Sequence, residues 1–201
     1  MTKILIPIET SIGERRVSAT PETVKKLKNL GCDVYVEKSA GELSGFKDFS
    51  YEESGGIIFT EQDFWKEADI IFCIHCPDYE KLNKLKEGCL IIGLLNPFAN
   101  KDLAKILSDL KLSAIALELL PRISRAQSSD VLSSQANIAG YKSVLLAASE
   151  LDRYFPMLMT AAGTVQPAKV VVLGGGVAGL QAVATAKRLG ALVFVSDIRQ
   201  L

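Results

Sequence analysis

The sequence predicts an α/β protein of two doubly wound parallel-sheet units joined by a long helix, with the second unit truncated. Up to about residue 120, short runs rich in β-branched residues alternate with helix-like segments, as parallel strands alternate with their crossover helices. From Val131 to about Tyr154, apolar residues recur at helical spacing. A second strand and helix pattern begins after Pro167 and stops at residue 201.

Composition and charge exclude several classes of protein. Of the 201 residues, 48% are hydrophobic and 23% are charged, which is ordinary for a globular chain. The 23 basic and 23 acidic residues give a net charge of zero, so we expect no nucleic acid as a partner. The longest apolar stretches are far shorter than a membrane span, and the first residues lack the features of a signal peptide. A cytoplasmic location is therefore predicted.

The first unit is predicted to alternate strands with helices. Its first helix has Thr20 as N-cap and Pro21 at the first helical position, and it ends at Gly31. The predicted strands are Lys3–Ile8, Asp33–Glu37, Gly56–Phe59, Asp69–Ile74, Cys89–Leu94 and Ser113–Leu117. The predicted helices are Pro21–Leu30, Glu61–Glu67, Tyr79–Lys86 and Lys101–Leu110.

The remaining segments suggest how the chain divides into domains. The polar segment Leu120–Leu132 is predicted to be a loop, and the long helix after it is predicted to be a rigid connector. We predict an N-terminal α/β domain over 1–130, a connecting helix over 131–160 and an incomplete second domain over 161–201. That second domain comprises strand Val170–Leu173, helix Leu180–Leu189 and strand Leu192–Ser196. Because a complete sheet of this kind needs further strands, we expect the sequence to be a fragment or a truncated product.

The cysteines raise the question of a metal or redox site. Cys73, His75 and Cys76 stand close together, and Cys89 is a possible further ligand. Strand alternation places Cys73 and His75 on one face and Cys76 on the other, so the ligands do not converge. We therefore predict no metal and reduced, buried thiols, and we assign no role to this group.

A glycine-rich turn in the second domain is the strongest local signal for a ligand. Gly174, Gly176 and Gly179 form G-x-G-x-x-G, with Val177 inside it, after an apolar strand and before a helix. The first glycine permits the tight turn, the second lets the backbone approach a pyrophosphate, and the third lets helix and strand pack closely. This predicts the start of a Rossmann-like dinucleotide-binding domain. The alternative is a domain of the same shape that binds nothing.

Asp197 indicates which dinucleotide is bound. It follows the strand Leu192–Ser196, about twenty positions after the motif begins. Its carboxylate is predicted to accept hydrogen bonds from the adenosine ribose and to repel a 2′-phosphate, which favours NAD(H) over NADP(H). Arg199, a further predicted cofactor contact, weakens that preference.

Three stretches resemble one family. Residues 120–141, Leu-Pro-Arg-Ile-Ser-Arg-Ala-Gln-Ser-Ser-Asp-Val-Leu-Ser-Ser-Gln-Ala-Asn-Ile-Ala-Gly-Tyr, closely resemble the signature of the NAD(H)-binding component of proton-translocating NAD(P) transhydrogenases. Residues Ile6–Val24 resemble the opening of that family and of the alanine dehydrogenases, and Gly174–Asp197 resembles their dinucleotide unit. The resemblance covers nearly the whole chain.

The resemblance implies roles for five residues. Arg122, Gln127 and Asp130 would form a loop that holds the nicotinamide of NAD(H) against that of NADP(H) on a partner component, and Ser133 and Tyr141 would add contacts. Hydride passes directly between the rings, so the reaction needs orientation rather than an acid or base. From the residues alone, an alternative stays open in which Arg122 braces the loop and Asp130 caps the next helix.

The resemblance also implies an assembly. A membrane-spanning component would carry protons and another would bind NADP(H), while this chain would be a homodimer, peripheral on the cytoplasmic face of the bacterial inner membrane. Two alternatives are a non-catalytic NAD-binding module and an alanine dehydrogenase-like oxidoreductase. For the latter, Arg16 matches the expected arginine, but His75 replaces a lysine and Asn96 a histidine. Because asparagine is no acid–base group, reduction of 2-oxo acids is not expected.

Overall fold

The chain divides into two compact units, and the division falls between Ala126 and Gln127 in the sequence. A computed structural model describes residues 1–60, 62–121 and 123–199. The predicted domain boundaries at residues 130 and 160 stay a prediction. Among the described residues, no helix is both long enough and apolar enough to cross a membrane.

The first unit is built on a six-stranded parallel sheet. Its strands are β1 (Lys3–Ile6), β2 (Asp33–Glu37), β3 (Ile57–Phe59), β4 (Ile70–His75), β5 (Leu90–Leu94) and β6 (Ser113–Ala116). Their order in the sheet is β3-β2-β1-β4-β5-β6, with Leu5 of β1 opposite both Tyr35 of β2 and Ile71 of β4. The direction of strand addition therefore reverses between β1 and β4. Doubly wound sheets form their ligand crevice beyond the carboxyl ends of the strands at such a point.

Helices and apolar side chains cover both faces of this sheet. The α-helices in the described part of the unit are α1 (Pro21–Asn29), α2 (Asp48–Glu53), α3 (Tyr79–Leu82) and α4 (Leu103–Asp109), and three short 3-10 helices lie at Glu42–Ser44, Gln62–Glu67 and Leu117–Leu119. Because neighbouring strand residues point to opposite faces, Leu5 and Ile71 pack with Trp65 in one core cluster. Ile6 joins Tyr51 in another. The alternation of strand and helix fits the predicted fold class.

Three helical segments differ from the prediction. The segment Gln62–Glu67 is a 3-10 helix rather than an α-helix, and Glu61 lies outside the described residues. A 3-10 helix rises about 2.0 Å per residue, whereas an α-helix rises about 1.5 Å. The 3-10 helix therefore spans more distance with the few residues that link β3 to β4. Helix α3 ends at Leu82, four residues before the predicted end. Helix α2 was not predicted.

The second unit combines two helices with two small sheets. In its described residues the elements are α5 (Val131–Glu150), β7 (Leu158–Thr160), β8 (Gly163–Val165), β9 (Lys169–Leu173), α6 (Val177–Arg188) and β10 (Leu192–Ser196). Strands β9 and β10 pair in parallel, whereas β7 and β8 form an antiparallel hairpin. The core of this unit contains Val144, Phe155 and alanines of α6.

The second unit and the segment leading into it differ from the prediction at four points. Helix α5 ends at Glu150 rather than near Tyr154, because the chain turns away to bury Phe155, which is 6% exposed. Helix α6 begins at Val177, three residues before the predicted start. The polar segment before α5 contains a 3-10 helix over Ser124–Ser129. The hairpin of β7 and β8 was not predicted.

Candidate functional site

The turn between β9 and α6 is shaped by glycine. Gly174 has φ +100°, a left-handed conformation that other residues rarely adopt, and its N–H donates to the Ser196 carbonyl at 2.7 Å. A Cβ on Gly179 would lie 1.8 Å from the Gly174 carbonyl oxygen, so helix and turn touch directly. A Cβ on Gly176 would meet nothing within 4 Å. The turn therefore has no room for a side chain at Gly179, whereas the space beside Gly176 is open.

The first turn of α6 has backbone N–H groups that no N-cap side chain accepts from. Gly176 is its N-cap and has no side chain to accept hydrogen bonds from the first N–H groups. The 12-residue helix directs the positive end of its dipole to the same place. Such a helix start, open to the outside at Gly176, suits an anionic group such as a pyrophosphate.

Asp197 stands beside this turn because β10 pairs with β9. The register places Ser196 opposite Leu173, so Asp197 and Gly174 leave the sheet side by side. The Asp197 carboxylate accepts the Gly175 N–H at 2.6 Å and also binds Arg199. The Arg199 guanidinium, together with the two backbone N–H groups of Arg199 and Gly175, holds the pKa of Asp197 well below its ordinary value. The carboxylate is therefore ionised near neutral pH.

A second group of predicted residues lies at the start of α5. Asp130 is the N-cap of this helix: its Oδ1 accepts the Ser133 N–H at 2.9 Å, and its Oδ2 accepts the Ser133 hydroxyl at 2.6 Å. Gln127 is exposed in the preceding 3-10 helix, and its carbonyl accepts the Asp130 N–H at 3.2 Å. Tyr141 is 48% exposed one residue after Gly140. Arg122 lies outside the described residues.

Gly140, which sequence analysis missed, joins the two helices. A Cβ at this position would lie 2.1 Å from the Ala178 carbonyl oxygen, so α5 packs directly on the first turn of α6. One turn earlier, the Asn137 amide donates to Gln181 at 3.2 Å, so the two helices run in opposite senses. A glycine inside a helix destabilises that helix by about 1 kcal/mol relative to alanine. A glycine in the middle of a predicted helix therefore indicates a close packing contact, and Gly140 could have been identified in this way.

The first unit has its own polar cluster at the point where strand addition reverses. Glu14 binds Arg16 at 2.6 Å and the His75 Nε2 at 2.9 Å, while Glu9 accepts the Ile74 and His75 N–H groups. Sequence analysis compared three positions, Arg16, His75 and Asn96, with the residues expected in alanine dehydrogenases. The first two of these side chains are held by the Glu14 carboxylate. The third, Asn96, donates its backbone N–H to Glu118. Sequence analysis missed all three glutamates, because each has a partner that is distant in the chain; Arg16, two residues from Glu14, is the one near partner named here.

The cysteines correct one prediction. Cys76 does not lie opposite Cys73, since both pack against the same core cluster. The reason is that β4 ends at His75 and its register shifts between Phe72 and His75, which interrupts the alternation. All four cysteines are free thiols, and burial raises the pKa of Cys76 to about 11. Within the described residues, no group of three or more histidine, cysteine or acidic side chains is placed to hold a metal ion.

The Glu14 cluster predicts how the first unit responds to acid. Chiefly because Arg16 hydrogen-bonds to its carboxylate, the pKa of Glu14 falls from 4.5 to about 2. A lowered pKa stabilises the fold above pH 4.5, and this contribution is lost as the pH falls towards 2. We expect Glu14→Gln to cost on the order of 1–2 kcal/mol at pH 7, allowing for solvent at Arg16, and almost nothing near pH 2.

Urea unfolding followed by the fluorescence of Trp65 measures this difference. Trp65 is the only tryptophan and is 2% exposed in the core of the first unit. Glu53→Gln, at an exposed position, is the matched control and should shift stability little at any pH. A Glu14→Gln effect of equal size at pH 7 and pH 2 would contradict the prediction.

Known proteins resemble this chain over nearly its whole length. Residues 5–139 match the family "Alanine dehydrogenase/PNT, N-terminal domain", and residues 143–201 match "Alanine dehydrogenase/PNT, C-terminal domain". The first part of NAD(P) transhydrogenase subunit alpha in Rhodospirillum rubrum is 46% identical over 203 residues, covering 98% of this chain and 53% of that protein. The chain thus spans about half the length of this relative.

A solved structure and a more distant relative agree with this result. The crystal structure of transhydrogenase from Sinorhizobium meliloti superimposes with a TM-score of 0.94 at 47% identity, over 98% of this chain and 57% of that one. Alanine dehydrogenase of Methanococcus maripaludis is 32% identical over 197 residues, 96% of this chain and 52% of that protein. The predicted fold class and the predicted resemblance are both confirmed, and the transhydrogenases are the nearer relatives of the two. The chain belongs to the alanine dehydrogenase/PNT family.

Proposed function

We propose that this chain is the NAD(H)-binding part of a proton-translocating NAD(P) transhydrogenase. The observation that carries the proposal is the turn at Gly174–Gly179, where an open helix start and the ionised carboxylate of Asp197 lie side by side. Greater similarity to transhydrogenases than to alanine dehydrogenases supports it. The reaction proposed is transfer of hydride from NADH to NADP⁺ on a partner component.

The residues of the turn fit a dinucleotide. The pyrophosphate would accept hydrogen bonds from the backbone N–H groups at the start of α6, next to Gly176 and Val177. A Cβ on Gly176 would meet nothing within 4 Å, so the approach is open there. Asp197 would accept the hydroxyls of the adenosine ribose, and its charge would repel a 2′-phosphate. When bound, NADH supplies the hydride. The protein's own part is to bind and orient the nicotinamide and to exclude water.

The loop before α5 would position the nicotinamide. Gln127 is exposed and offers both an amide donor and a carbonyl acceptor, while the Asp130 cap holds the start of the helix beside it. Gly140, which contacts Ala178 in the first turn of α6, lies ten residues after Asp130 in α5. The rise along the helix between Asp130 and this contact is about 15 Å. We propose that Gln127 and Asp130 act with Arg122, and that Ser133 and Tyr141 add contacts.

The proposed reaction requires other components. An NADP(H)-binding component would present the second ring, and a membrane-spanning component would carry protons. This chain would act as a homodimer on the cytoplasmic face of the bacterial inner membrane, without a metal. An alanine dehydrogenase-like activity is the weaker proposal, because Glu14 holds both Arg16 and His75 and because asparagine occupies position 96. A module that binds NAD without catalysis is distinguished from this proposal only by assay with the partner component.

Titration with NADH and NADPH tests the proposal. We expect NADH to bind more tightly, by about tenfold or more, because a 2′-phosphate would be placed next to the Asp197 carboxylate. Asp197→Asn should reduce that preference towards equality. Nucleotide fluorescence provides both dissociation constants. Equal affinities for the two nucleotides in the parent chain would refute the assignment of Asp197.

A further inference from the structure

The carboxylate of Asp197 is already fully occupied. Its Oδ2 accepts the Gly175 N–H at 2.6 Å and an Nη2–H of Arg199 at 3.0 Å. Its Oδ1 accepts the backbone N–H of Arg199 at 2.9 Å and the Nε–H at 3.0 Å. An ionised carboxylate offers about four acceptor positions, and these four donors fill them. A ribose diol that approaches Asp197 must therefore displace a donor.

The four donors differ in how easily they are displaced. The N–H groups of Gly175 and Arg199 belong to the backbone and are held by the turn and by the chain direction after β10. The other two belong to the Arg199 side chain, which is 72% exposed. An ion pair with an exposed partner contributes little net stability, because water solvates the released charge well. The guanidinium is thus the group that a ligand would displace.

We propose that Arg199 is a specificity-determining residue that competes with the ribose of NAD(H) for Asp197. This inference rests on the proposed function, since it requires Asp197 to face the adenosine ribose. Bound to Asp197, the guanidinium occupies the acceptors that the 2′- and 3′-hydroxyls need. The same group would form a charge-assisted contact with a 2′-phosphate and would offset its repulsion from Asp197. Arg199 therefore lowers affinity for NADH and raises affinity for NADPH.

Arg199→Met separates these two effects, because methionine keeps an unbranched side chain and removes the guanidinium. We expect NADH to bind about two- to fivefold more tightly. This factor corresponds to the free energy of an exposed ion pair, which NADH no longer has to break. NADPH should bind about tenfold more weakly, because a charged hydrogen-bond donor to its phosphate is lost. The gain for NADH should shrink as salt is raised from about 0.05 to about 0.5 M, since salt screens the ion pair in the parent.

Arg188→Met is the matched control for the loss of one positive charge. Arg188 is exposed at the last residue of α6, the end of the helix away from the glycine turn. A general effect of charge on anionic ligands would weaken both nucleotides in both variants, and NADPH more than NADH because its 2′-phosphate adds negative charge. Opposite responses to the two nucleotides in Arg199→Met alone are the expected result.

Nuclear magnetic resonance of the Arg199 side chain gives a second measurement. The Nε–H signal should exchange slowly with water in the free chain and rapidly when NADH saturates it. If Arg199→Met weakens NADH binding as well as NADPH binding, or if the Nε–H stays protected with NADH bound, the competition does not exist. If the parent chain binds neither nucleotide, the proposed function itself fails, and the two failures are thereby distinguished.

Discussion

Gln127→Asn should slow hydride transfer from NADH to NADP⁺ by about 100-fold and change NADH affinity by less than about twofold. Asparagine keeps the amide but withdraws it by about 1 Å, and misplacement on that scale is costly in a reaction that depends on orientation. Binding rests mainly on the glycine turn and Asp197, which are remote from residue 127 in sequence. Single-turnover transfer, with the chain combined with an NADP(H)-binding partner component, measures the rate, and titration measures the affinity.

Gln166→Asn is the matched control for this substitution. Gln166 is exposed in the link between β8 and β9 and has no proposed role. It should leave both rate and affinity unchanged. Should Gln127→Asn reduce transfer by less than about twofold, or only in proportion to a loss of NADH affinity, Gln127 would not position the ring.

Gly179→Ala should disrupt the turn and abolish NADH binding. A Cβ at this position would lie 1.8 Å from the Gly174 carbonyl oxygen, a backbone atom that cannot move without breaking the link between β9 and α6. We expect a loss of about 3 kcal/mol or more in the local stability of α6. Hydrogen exchange of the α6 amides measures this loss, which corresponds to exchange more than about 100-fold faster.

Gly176→Ala separates stability from ligand binding in the same turn. Its Cβ would meet nothing within 4 Å, and its φ of −76° suits alanine, so amide exchange in α6 should change little. NADH affinity should nevertheless fall by about tenfold or more, because the methyl group occupies the path of the pyrophosphate. Normal NADH binding by Gly176→Ala would place the phosphates elsewhere. Normal α6 exchange in Gly179→Ala would refute the steric argument.

The candidate site was predicted unevenly. Gly174, Gly179 and Asp197 were identified from the sequence because a strand, a tight turn and a helix leave a local pattern within about twenty-five residues. The contact at Gly140 was missed, since its partner Ala178 lies on another helix. The Glu14 cluster was missed for the same reason, because His75 is more than sixty residues away in the chain. Interactions between distant residues leave no local periodicity to detect.

The sequence by itself determined the fold class, the order of most strands and helices, and the glycine turn. Each of these follows from short-range rules: alternation in strands, helical spacing, capping residues, and the conformational freedom of Gly174. Only the tertiary structure decided that Arg199 occupies Asp197, that α5 packs on α6 through Gly140, and that Glu14 holds both Arg16 and His75. The contacts of Gly140 with Ala178 and of Glu14 with His75 depend on how helices pack and strands pair. The pairs Asp197–Arg199 and Glu14–Arg16 are two residues apart and depend on the side-chain conformations that the fold selects. Hydrogen bonds and steric contacts of that kind are set by three-dimensional position, which spacing along the chain does not specify.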